Sequence, residues 1–400
     1  MQHEFINQVV NNRKDFLESF EVFLIDEAHE MRKTTIMILA ILKNFLKSQP
    51  IKDHKLIVTS ATLDTEVFKK YFADLKMTVI EAKTPTYDVK EFYTQFPDLS
   101  TSIIENTAAH LRIMLEHIKQ YFDSEYFLPN ILVFLPSIKE IKEVKEYIET
   151  DFDKAFKIIS EDLPFHLEEL HGALRPSEKT QVLNPDSSLK KVVRIILATK
   201  IAETALTIHD VRYVLDSGLH TEYFFDELTK MDYSKQVPIS LSSAIQRKGR
   251  AGRTAKGFCF KMYTEEEERE FEDTNVPEIL RMDIADVIMT QIELQVLFGM
   301  NDLLFYEEIN KSRTTKQENN LISQITSQLH KIEAIATDSR NMTVLTNKGK
   351  FIVQMGLKGL TGAFLYECIR LGIRELGEAS ATVLNTKNLF RQNVRQIYVA

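Results

Sequence analysis

Two adjacent carboxylates, Asp26 and Glu27, directly follow a short apolar run at residues 21–25. In an open sheet of parallel strands, ligands bind beyond the carboxyl ends of the strands, so a strand here would place both acids at a binding edge. One carboxylate can hold Mg²⁺, often through water, while the other orients and deprotonates an attacking water molecule. The alternative is that both acids only cap the helix that follows, since acids favour a helix N-terminus.

Three arginines, Arg247, Arg250 and Arg253, recur at every third position, with Gly249 and Gly252 between them. On a helix this spacing would gather the guanidinium groups on one side, and glycine would permit close approach of another backbone. Guanidinium groups in such a cluster suit a triphosphate, because they stabilise charge that develops on the γ-phosphoryl group. A basic surface that binds nucleic-acid phosphates is the alternative.

The elements that must position these residues alternate in type. Apolar runs at residues 21–25 and 55–59 are each followed by a helical pattern, at residues 31–46 and 66–72. This order is typical of a doubly wound parallel sheet.

A looser stretch at residues 84–100 follows, and a second α/β sheet is predicted over residues 88–263. Its predicted helices are residues 103–122 and 138–150, and its predicted strands are residues 131–135, 165–170, 192–198 and 211–215. The acidic run at residues 265–273 is interpreted as a solvated helix face. Beyond it we expect a mostly helical remainder, with amphipathic helices at 284–297 and 321–335 and a short wing hairpin at 344–349.

The composition describes an ordinary globular chain of two to four domains: 400 residues, 44% hydrophobic and 27% charged. A net charge of −8 argues against non-specific coating of nucleic acid but allows a local basic channel. The two cysteines cannot form a disulfide framework. No signal peptide or stretch of roughly 20 apolar residues is present, so we expect a soluble intracellular protein without membrane contact.

The tetrad Asp-Glu-Ala-His at residues 26–29 and the triplet Ser-Ala-Thr at residues 60–62 resemble motifs II and III of the DEAH-box helicases of superfamily 2. Residues 132–136, 198–207 and 246–253 resemble motifs IV, V and VI, in the order and spacing of that family. A single such motif would be weak evidence, but five in register are not a coincidence.

Two later regions also resemble this family. Residues 277–281 and 297–304 are similar to the winged-helix segment that follows the motor, and residues 363–393 to the start of the helical ratchet bundle. The resemblance implies an α/β fold of two RecA-like parallel-sheet domains, the first truncated, then a winged-helix domain and a partial ratchet domain. The predicted boundaries are 1–87, 88–263, 264–346 and 347–400.

The resemblance also implies roles for individual residues. Asp26 and Glu27 would hold Mg²⁺, with Glu27 as the base, and His29 would couple the nucleotide site to the facing domain. The residues implied for ATP are Thr207, Gln246, Arg250 and Arg253, and those implied for the nucleic-acid strand are His171, Arg175, Thr199 and Lys200. Ser60 and Thr62 would link hydrolysis to domain movement.

Each of these smaller features has a simpler alternative. Ser60 and Thr62 could form a turn or cap the next helix, and His171 could be an ordinary histidine at a strand end. In the family, the interval at residues 218–238 carries a β-hairpin implicated in strand separation. Its aromatic side chains, which are Tyr223, Phe224, Phe225 and Tyr233, could equally belong to the core.

The sequence departs from the family pattern in four places, one of which is Lys248 where the family commonly has Ala. No phosphate loop of the form GxxxxGK[ST] occurs in the 400 residues, and the resemblance implies that it would lie before Met1. Lys200 stands where the family usually has Asn, and His209 where it usually has Asp. Without the loop we expect this chain alone to hydrolyse ATP poorly or not at all.

The implied function is that of an ATP-dependent RNA helicase that moves along RNA and unwinds it. We expect RNA as partner, a protein activator, a monomeric state, and location in the nucleus or the cytoplasm. The alternative is a helicase-derived nucleic-acid-binding or scaffold protein, which the missing loop favours. A DNA translocase of another superfamily 2 branch fits the ATPase motifs but not the C-terminal segments.

Overall fold

The computed structural model describes residues 2–48, 54–60, 65–82, 87–94, 102–121, 128–150, 155–186, 189, 192–203, 206–226, 229, 231–298 and 319–385. Its contacts divide the chain into two compact units. The first unit comprises Met1–Ile80, Phe225–Asp232 and Pro277–Ala400. The second unit comprises Glu81–Phe224 and Tyr233–Val276. The four predicted domain boundaries stay a prediction.

The bounds of the regular elements follow in chain order. The helices are α1 (Gln2–Glu18), α2 (Lys33–Ser48), α3 (Thr65–Tyr71), α4 (Ile103–Tyr121), α5 (Ile138–Glu149), α6 (Ala155–Asp162), α7 (Pro176–Leu183), α8 (Leu241–Gly249), α9 (Glu265–Arg269), α10 (Ala285–Phe298), α11 (Asn319–Lys331), α12 (Asn347–Met355), α13 (Gly359–Arg370) and α14 (Arg374–Asn385). The strands are β1 (Val22–Ile25), β2 (Lys55–Val58), β3 (Val89–Tyr93), β4 (Asn130–Phe134), β5 (Phe165–Leu170), β6 (Val193–Ala198), β7 (Val211–Asp216), β8 (Leu219–Asp226), β9 (Met231–Pro238), β10 (Gly257–Lys261), β11 (Ile335–Thr337) and β12 (Thr343–Leu345). Short 3₁₀ turns occupy Ala28–Glu30, Lys200–Ala202 and Glu278–Leu280.

In the first unit, β1 and β2 pair in parallel, with Val22 opposite Lys55. Phe23 is buried against Ile38 and Phe45 of α2. Leu24, by contrast, is 62% exposed. The parallel pairing is as predicted. An apolar run of this kind also suggests a strand buried on both faces, but helix packing covers only the face that carries Phe23.

A single apolar core joins the start of the chain to its later part within the first unit. Ala28 of the acidic tetrad is fully buried in the same cluster as Ile36, Ile279, Ile284 and Leu329. Burying such side chains stabilises a fold by roughly 1.5–3 kcal/mol each. The tetrad is therefore anchored by packing against α10 and α11 as well as by its own strand.

In the second unit, six parallel strands lie in the order β3-β10-β7-β4-β6-β5. Side chains alternate along β4: Ile131 and Val133 belong to one core cluster, and Leu132 and Phe134 belong to another. All four are buried because helices cover both faces, which explains why this strand is a continuous apolar run.

Two predictions about elements of the chain are corrected here. The looser stretch at residues 84–100 contains strand β3, which pairs in parallel with β10 at the edge of the six-stranded sheet. The wing hairpin predicted at residues 344–349 instead pairs β11 with β12 in antiparallel fashion. Lys348 and Gly349 belong to α12, because the Thr346 side chain accepts a hydrogen bond from the Gly349 amide and begins that helix.

The acidic run after β10 begins with a capping box in which Thr264 and Glu267 satisfy each other's backbone amides. Most of its side chains are exposed, as predicted. Glu268 is an exception, since one of its carboxylate oxygens lies 2.6 Å from the Lys261 Nζ. Within the ranges that the structure describes, no helix is long and apolar enough to cross a membrane.

Candidate nucleotide and nucleic-acid site

The acid pair lies at the carboxyl end of β1, where the neighbouring strand β2 also ends. Asp26 Oδ1 accepts hydrogen bonds from Thr59 Oγ1 at 2.6 Å and from the Glu27 amide at 3.0 Å. The Ala28 amide donates to the Thr59 carbonyl at 3.0 Å. The ends of the two strands thus hold the acids in one place, as the parallel pairing predicts.

Glu27 adopts a left-handed backbone conformation, with φ 55° and ψ 42°, and so does Met31 with φ 44°. This conformation costs a non-glycine residue roughly 1–2 kcal/mol and persists where surrounding contacts enforce it. The side chain of Glu27 makes no capping hydrogen bond, and α2 begins only at Lys33. The alternative that these acids merely cap the following helix therefore fails.

His29 has a buried side chain, and its Nδ1 lies 3.4 Å from Glu27 Oε2. This distance is a contact between the two side chains and not a hydrogen bond. The tetrad is therefore one assembly: Ala28 packs in the core, His29 contacts Glu27, and Asp26 is tied to Thr59.

The acid pair fits a hydrated Mg²⁺. This ion prefers one or two carboxylates together with water and substrate phosphate oxygens. Among the described residues, the two hydrogen bonds to Asp26 use Oδ1, so the second carboxylate oxygen can serve as a ligand. Across the described ranges no three His, Cys, Asp or Glu side chains gather as a metal cage.

Of the two residues predicted to couple hydrolysis to domain movement, the structure describes only Ser60. Ser60 lies just beyond β2, and its Oγ is buried without a hydrogen-bond partner within the described part of the chain. Thr62 falls outside the described residues. The Ser60 hydroxyl therefore has the capacity to bind a further group, while its coupling role stays a prediction.

Helix α8 carries the first part of the arginine cluster in the second unit. Ser240 begins the helix by accepting a hydrogen bond from the Ser243 amide at 3.2 Å. The helix ends at Gly249, so Arg250 is its C-terminal cap and Arg253 lies in the turn beyond. The clustering of all three arginines on one helix, considered from their spacing, does not occur, because α8 ends before Arg253.

Arg247 is fully buried in the second unit. Its guanidinium group contacts Glu203 Oε1 at 2.6 Å and Asp216 Oδ1 at 2.7 Å, and lies 4.8 Å from the centre of the Phe134 ring. Burial acts to lower the pKa of Arg247, but the two carboxylates outweigh it and raise the pKa above its ordinary value. Arg247 is therefore a permanently charged brace inside the protein and is not exposed to a ligand.

The Asp216 carboxylate that pairs with Arg247 also accepts a hydrogen bond from a tyrosine. Tyr263 Oη donates a hydrogen bond to Asp216 Oδ2 at 3.1 Å. Burial and the nearby Asp216 carboxylate both raise the pKa of Tyr263, so it stays a neutral donor. Glu203 and Asp216 were not among the predicted site residues. A carboxylate directly after the apolar run at 211–215 was the available signal, since a buried acid requires a cation.

Arg250 holds the turn that follows β6. It is 6% exposed, and its guanidinium donates to the carbonyl of Leu206 at 2.6 Å and to the carbonyl of Glu203. Those carbonyls belong to the segment predicted as motif V. The structure thus joins motif VI to motif V through backbone groups, a link that the sequence pattern did not reveal.

The two glycines of the cluster differ. A Cβ atom on Gly252 would lie 2.7 Å from the Tyr87 carbonyl oxygen and 2.8 Å from Val89 Cγ2. A Cβ atom on Gly249 would meet nothing within 4 Å. The predicted close approach of backbones therefore holds at Gly252 and is wrong at Gly249.

The remaining residues predicted to contact nucleotide have accessible side chains. Arg253 and Thr207 are exposed, and Gln246 is half-buried on α8. Thr207 directly follows Leu206, whose carbonyl Arg250 holds. The second unit therefore presents accessible polar groups on a turn that Arg247 and Arg250 fix from within.

The four residues predicted for the nucleic-acid strand gather beyond β5 and β6. The Thr199 amide donates to the Leu170 carbonyl at 3.1 Å, which brings Thr199 and the start of the Lys200–Ala202 turn next to His171. Arg175 lies just before α7 and is exposed. Adjacent strands thus bring together residues that the sequence separates by more than twenty positions.

Two of these residues have partners that limit their contacts. His171 is buried, with its Nε2 3.5 Å from Glu169 Oε2, and its Nδ1 has no hydrogen-bond partner in the described chain. Arg175 pairs with Glu178 at 2.7 Å. Lys200 is half-buried on its 3₁₀ turn.

Strands β8 and β9 form the two-stranded sheet expected between motifs V and VI. The rings of Phe224 and Tyr233 stack with centroids 5.6 Å apart. Tyr233 is 48% exposed, so the alternative that it belongs to the core is wrong. The Thr221 amide donates to the Pro136 carbonyl at 3.1 Å, which ties the base of this hairpin to the segment predicted as motif IV.

A parallel six-stranded sheet with these turns at its carboxyl edge is a RecA-like α/β domain, and this fold class is confirmed. Residues 113–255 match the family described as helicase conserved C-terminal domain. The chain is 32% identical over 343 residues to the ATP-dependent RNA helicase HrpA of Borreliella burgdorferi. It is 28% identical over 365 residues to the ATP-dependent RNA helicase HrpA homolog of Haemophilus influenzae.

Two solved structures have the same fold. They are those described as the DEAH/RHA helicase HrpB of Escherichia coli, with a TM-score of 0.75, and as the DExH-box NTPase HrpB of E. coli, with a TM-score of 0.74. Each is 22% identical in sequence, and the match covers 95% of this chain. The chain spans only part of these proteins: 37% and 26% of the two relatives, and 44% and 42% of the two solved chains.

These similarities show that the chain is related to proteins named as ATP-dependent RNA helicases, in line with the predicted resemblance to the DEAH-box helicases of superfamily 2. The winged-helix and ratchet assignments of the C-terminal segments stay predictions, as do the roles of the individual site residues.

Proposed function

We propose that this chain carries part of the motor of an ATP-dependent RNA helicase of the DEAH-box type. The observation that supports this most is the geometry of the acid pair: Asp26 and Glu27 follow a parallel strand, and Thr59 of the next strand fixes Asp26. Two relatives, HrpA and a homolog, are named as ATP-dependent RNA helicases, and these names supply the proposed substrate, RNA, and the proposed ATP-dependent unwinding.

In this proposal Asp26 holds Mg²⁺, which supplies charge neutralisation at the phosphates, and Glu27 orients and deprotonates the attacking water. Arg253 is the stronger candidate for stabilising charge on the γ-phosphoryl group, because its side chain is exposed. Arg250 is buried and donates to two carbonyls, so its contribution is to hold the turn that carries Thr207. Gln246 remains a candidate contact to the nucleotide.

For RNA we propose contacts from Thr199 and Lys200, with His171 and Arg175 beside them. Backbone phosphate is the expected target, since Lys200 is a point charge and Thr199 a hydroxyl donor. Arg175 must exchange its pairing with Glu178 to take part. A monomeric state, a protein activator, and location in the nucleus or the cytoplasm stay predictions.

A helicase-derived RNA-binding or scaffold protein is the second candidate. Both candidates bind RNA at the same edge, and they differ in turnover.

The test measures RNA-stimulated phosphate release and single-stranded RNA binding by the 400-residue chain. We expect Lys200→Ala to weaken RNA binding about threefold to thirtyfold, and Lys142→Ala, an exposed lysine on α5, to leave it unchanged. Phosphate release that Glu27→Gln abolishes would assign hydrolysis to this chain itself. RNA binding without turnover favours the scaffold candidate, and equal RNA binding by the two lysine variants would refute the proposed RNA edge.

A further inference from the structure

Within the first unit, a short segment far along the chain is bound to the turn that follows the acid pair. The Lys33 amide donates to Glu278 Oε2 at 3.0 Å, and the Glu278 amide donates to the Met31 carbonyl at 3.3 Å. Glu278 therefore both accepts from and donates to the same three-residue stretch, across 245 positions of sequence.

An ion pair lies beside these two hydrogen bonds. Lys33 Nζ donates to Asp286 Oδ2 at 2.6 Å, and both side chains are largely shielded, with exposures of 20% and 36%. Burial acts to lower the pKa of Lys33, but Asp286, and then Glu278 and Asp283, outweigh it and raise the pKa. Lys33 therefore stays charged at neutral pH and keeps the start of α2 attached to α10.

Packing supports both ties. Ile279, directly after Glu278, is 1% exposed and belongs to the same core cluster as Ala28 of the tetrad. Ile284 and Ile36 are buried in that cluster as well. The segment that carries Glu278 cannot move away from the tetrad without exposing this core.

The turn between the acid pair and α2 needs such support. Glu27 and Met31, at its two ends, both have positive φ angles, which side chains other than glycine adopt only under constraint. On one side the Ala28 amide is held by the Thr59 carbonyl. On the other side Glu278 holds Met31 and Lys33.

We infer that Glu278 is a positioning residue for the acid pair: it closes the left-handed turn at Met31, and thereby sets the direction in which the Glu27 carboxylate points. Glu278 binds the backbone groups of Met31 and Lys33, and its charge also favours the Lys33 ammonium group. It therefore acts on the acids through this turn and not by direct contact. The inference deepens the proposed function, because it names a residue outside all the helicase motifs on which the geometry of the catalytic base depends.

The test is amide hydrogen exchange of the full chain, resolved by fragmentation over residues 24–34. Glu278→Ala removes the acceptor of the Lys33 amide, and we expect exchange at Lys33 to accelerate about tenfold or more. We expect Ala28 and Glu30 to accelerate as well, although neither bonds to Glu278. Glu278→Gln keeps an oxygen acceptor and should restore slow exchange at all three.

Two controls accompany this measurement. Glu375→Ala removes an exposed carboxylate of the same unit and should change nothing. The Phe225 amide, bonded to the Arg281 carbonyl at 2.8 Å, should keep its protection in every variant that is folded. Unchanged exchange at Ala28 and Glu30 in Glu278→Ala, with Phe225 protected, would overturn the inference.

Phosphate release separates this inference from the proposed function. If the chain turns over ATP, Glu278→Ala should lower kcat about tenfold to a hundredfold with little change in KM, and Glu278→Gln should recover most of it. Equal kcat values for Glu278→Ala and the unmodified chain would overturn the inference. If no form of the chain releases phosphate, the hydrolysis proposal fails, while the exchange at Ala28 and Glu30 still decides whether Glu278 positions the turn.

Discussion

The two parallel ladders of this protein, β1–β2 in the first unit and the six-stranded sheet in the second, place their polar residues by different means. At the end of β1 the acids stay accessible, and a strained turn sets their direction. At the ends of β6 and β7 the acids Glu203 and Asp216 are buried and neutralised by Arg247. Acids at strand ends therefore do not share one role.

The difference follows from how many faces of each ladder are covered. Leu132 of β4 lies under helices on a fully covered sheet, whereas Leu24 of β1 is mostly exposed. A charged group under full cover requires a partner inside the protein, because an unpaired buried charge is too costly. Where helices cover only one face of a strand pair, acids at the strand ends can stay accessible to water and to ligands. Four experiments test this difference between the two ladders.

Replacing the buried arginine should have the largest effect. Arg247→Ala leaves Glu203 and Asp216 buried without a cation, so we expect the free energy of unfolding of the second unit to fall by about 3–5 kcal/mol. Urea-induced unfolding, followed by hydrogen exchange of the second unit, measures this. Arg253→Ala, an exposed arginine of the same motif, should stay within about 0.5 kcal/mol. A small loss of unfolding free energy for Arg247→Ala would show that the ion pairs of Arg247 with Glu203 and Asp216 do not brace the second unit.

The second experiment compares one apolar position in each ladder. Leu132→Ala opens a cavity in a fully buried strand and should cost about 2–5 kcal/mol. Leu24→Ala acts on a side chain that is 62% exposed and should cost no more than about 0.5 kcal/mol. The same unfolding measurement, read separately for each unit, decides the matter. A comparable loss at Leu24 would mean that the exposed face of β1 is covered in solution.

Replacing the two glycines of the arginine cluster should give the next smaller change in stability. Gly252→Ala forces a Cβ atom against the Tyr87 carbonyl and Val89, and we expect a loss of about 1–3 kcal/mol. Gly249→Ala has open space at the end of α8 and should be neutral or stabilising by up to about 1 kcal/mol. Thermal unfolding of the two variants is the measurement. Equal losses would contradict the close approach of β3 to the arginine turn.

The smallest effect concerns pH. Burial acts to raise the pKa of Glu91, but hydrogen bonds from Lys261 and Lys248 outweigh it and lower the pKa below its ordinary value of 4.5. A lowered carboxyl pKa contributes stability above 4.5 that is lost as the pH falls through the folded-state pKa. Glu91→Gln should therefore reduce the acid sensitivity of the second unit, by below about 1 kcal/mol after solvent screening. Unfolding midpoints at about pH 7 and about pH 3 test it, and an unchanged difference between them would remove Glu91 from the network.

Part of the site follows from sequence patterns alone. The acids after an apolar run, and Thr199 with His171 after two others, lie at strand ends because parallel strands share one carboxyl edge. The role of Arg247 does not follow, since its spacing from Arg250 and Arg253 suggested one exposed basic cluster. Only the position of α8 against the buried acids separates these arginines.

Glu278 shows the same limit more sharply. Residues 277–281 resemble a family segment, but no local pattern gives Glu278 this role, because its partners Met31 and Lys33 lie 245 or more positions away along the chain. Its bonds exist only once α10 has packed on the core that contains Ala28.

The alternation of strands and helices could be predicted from the sequence, because it depends on the periodicity of apolar residues. The resemblance to DEAH-box helicases could also be found there, because each motif is a run of neighbouring residues. Which polar groups are buried in ion pairs and which are accessible became clear only from the packing of the folded chain. Burial is a property of packed surfaces, and two identical side chains, such as Arg247 and Arg253, acquire different roles only when one of them is enclosed.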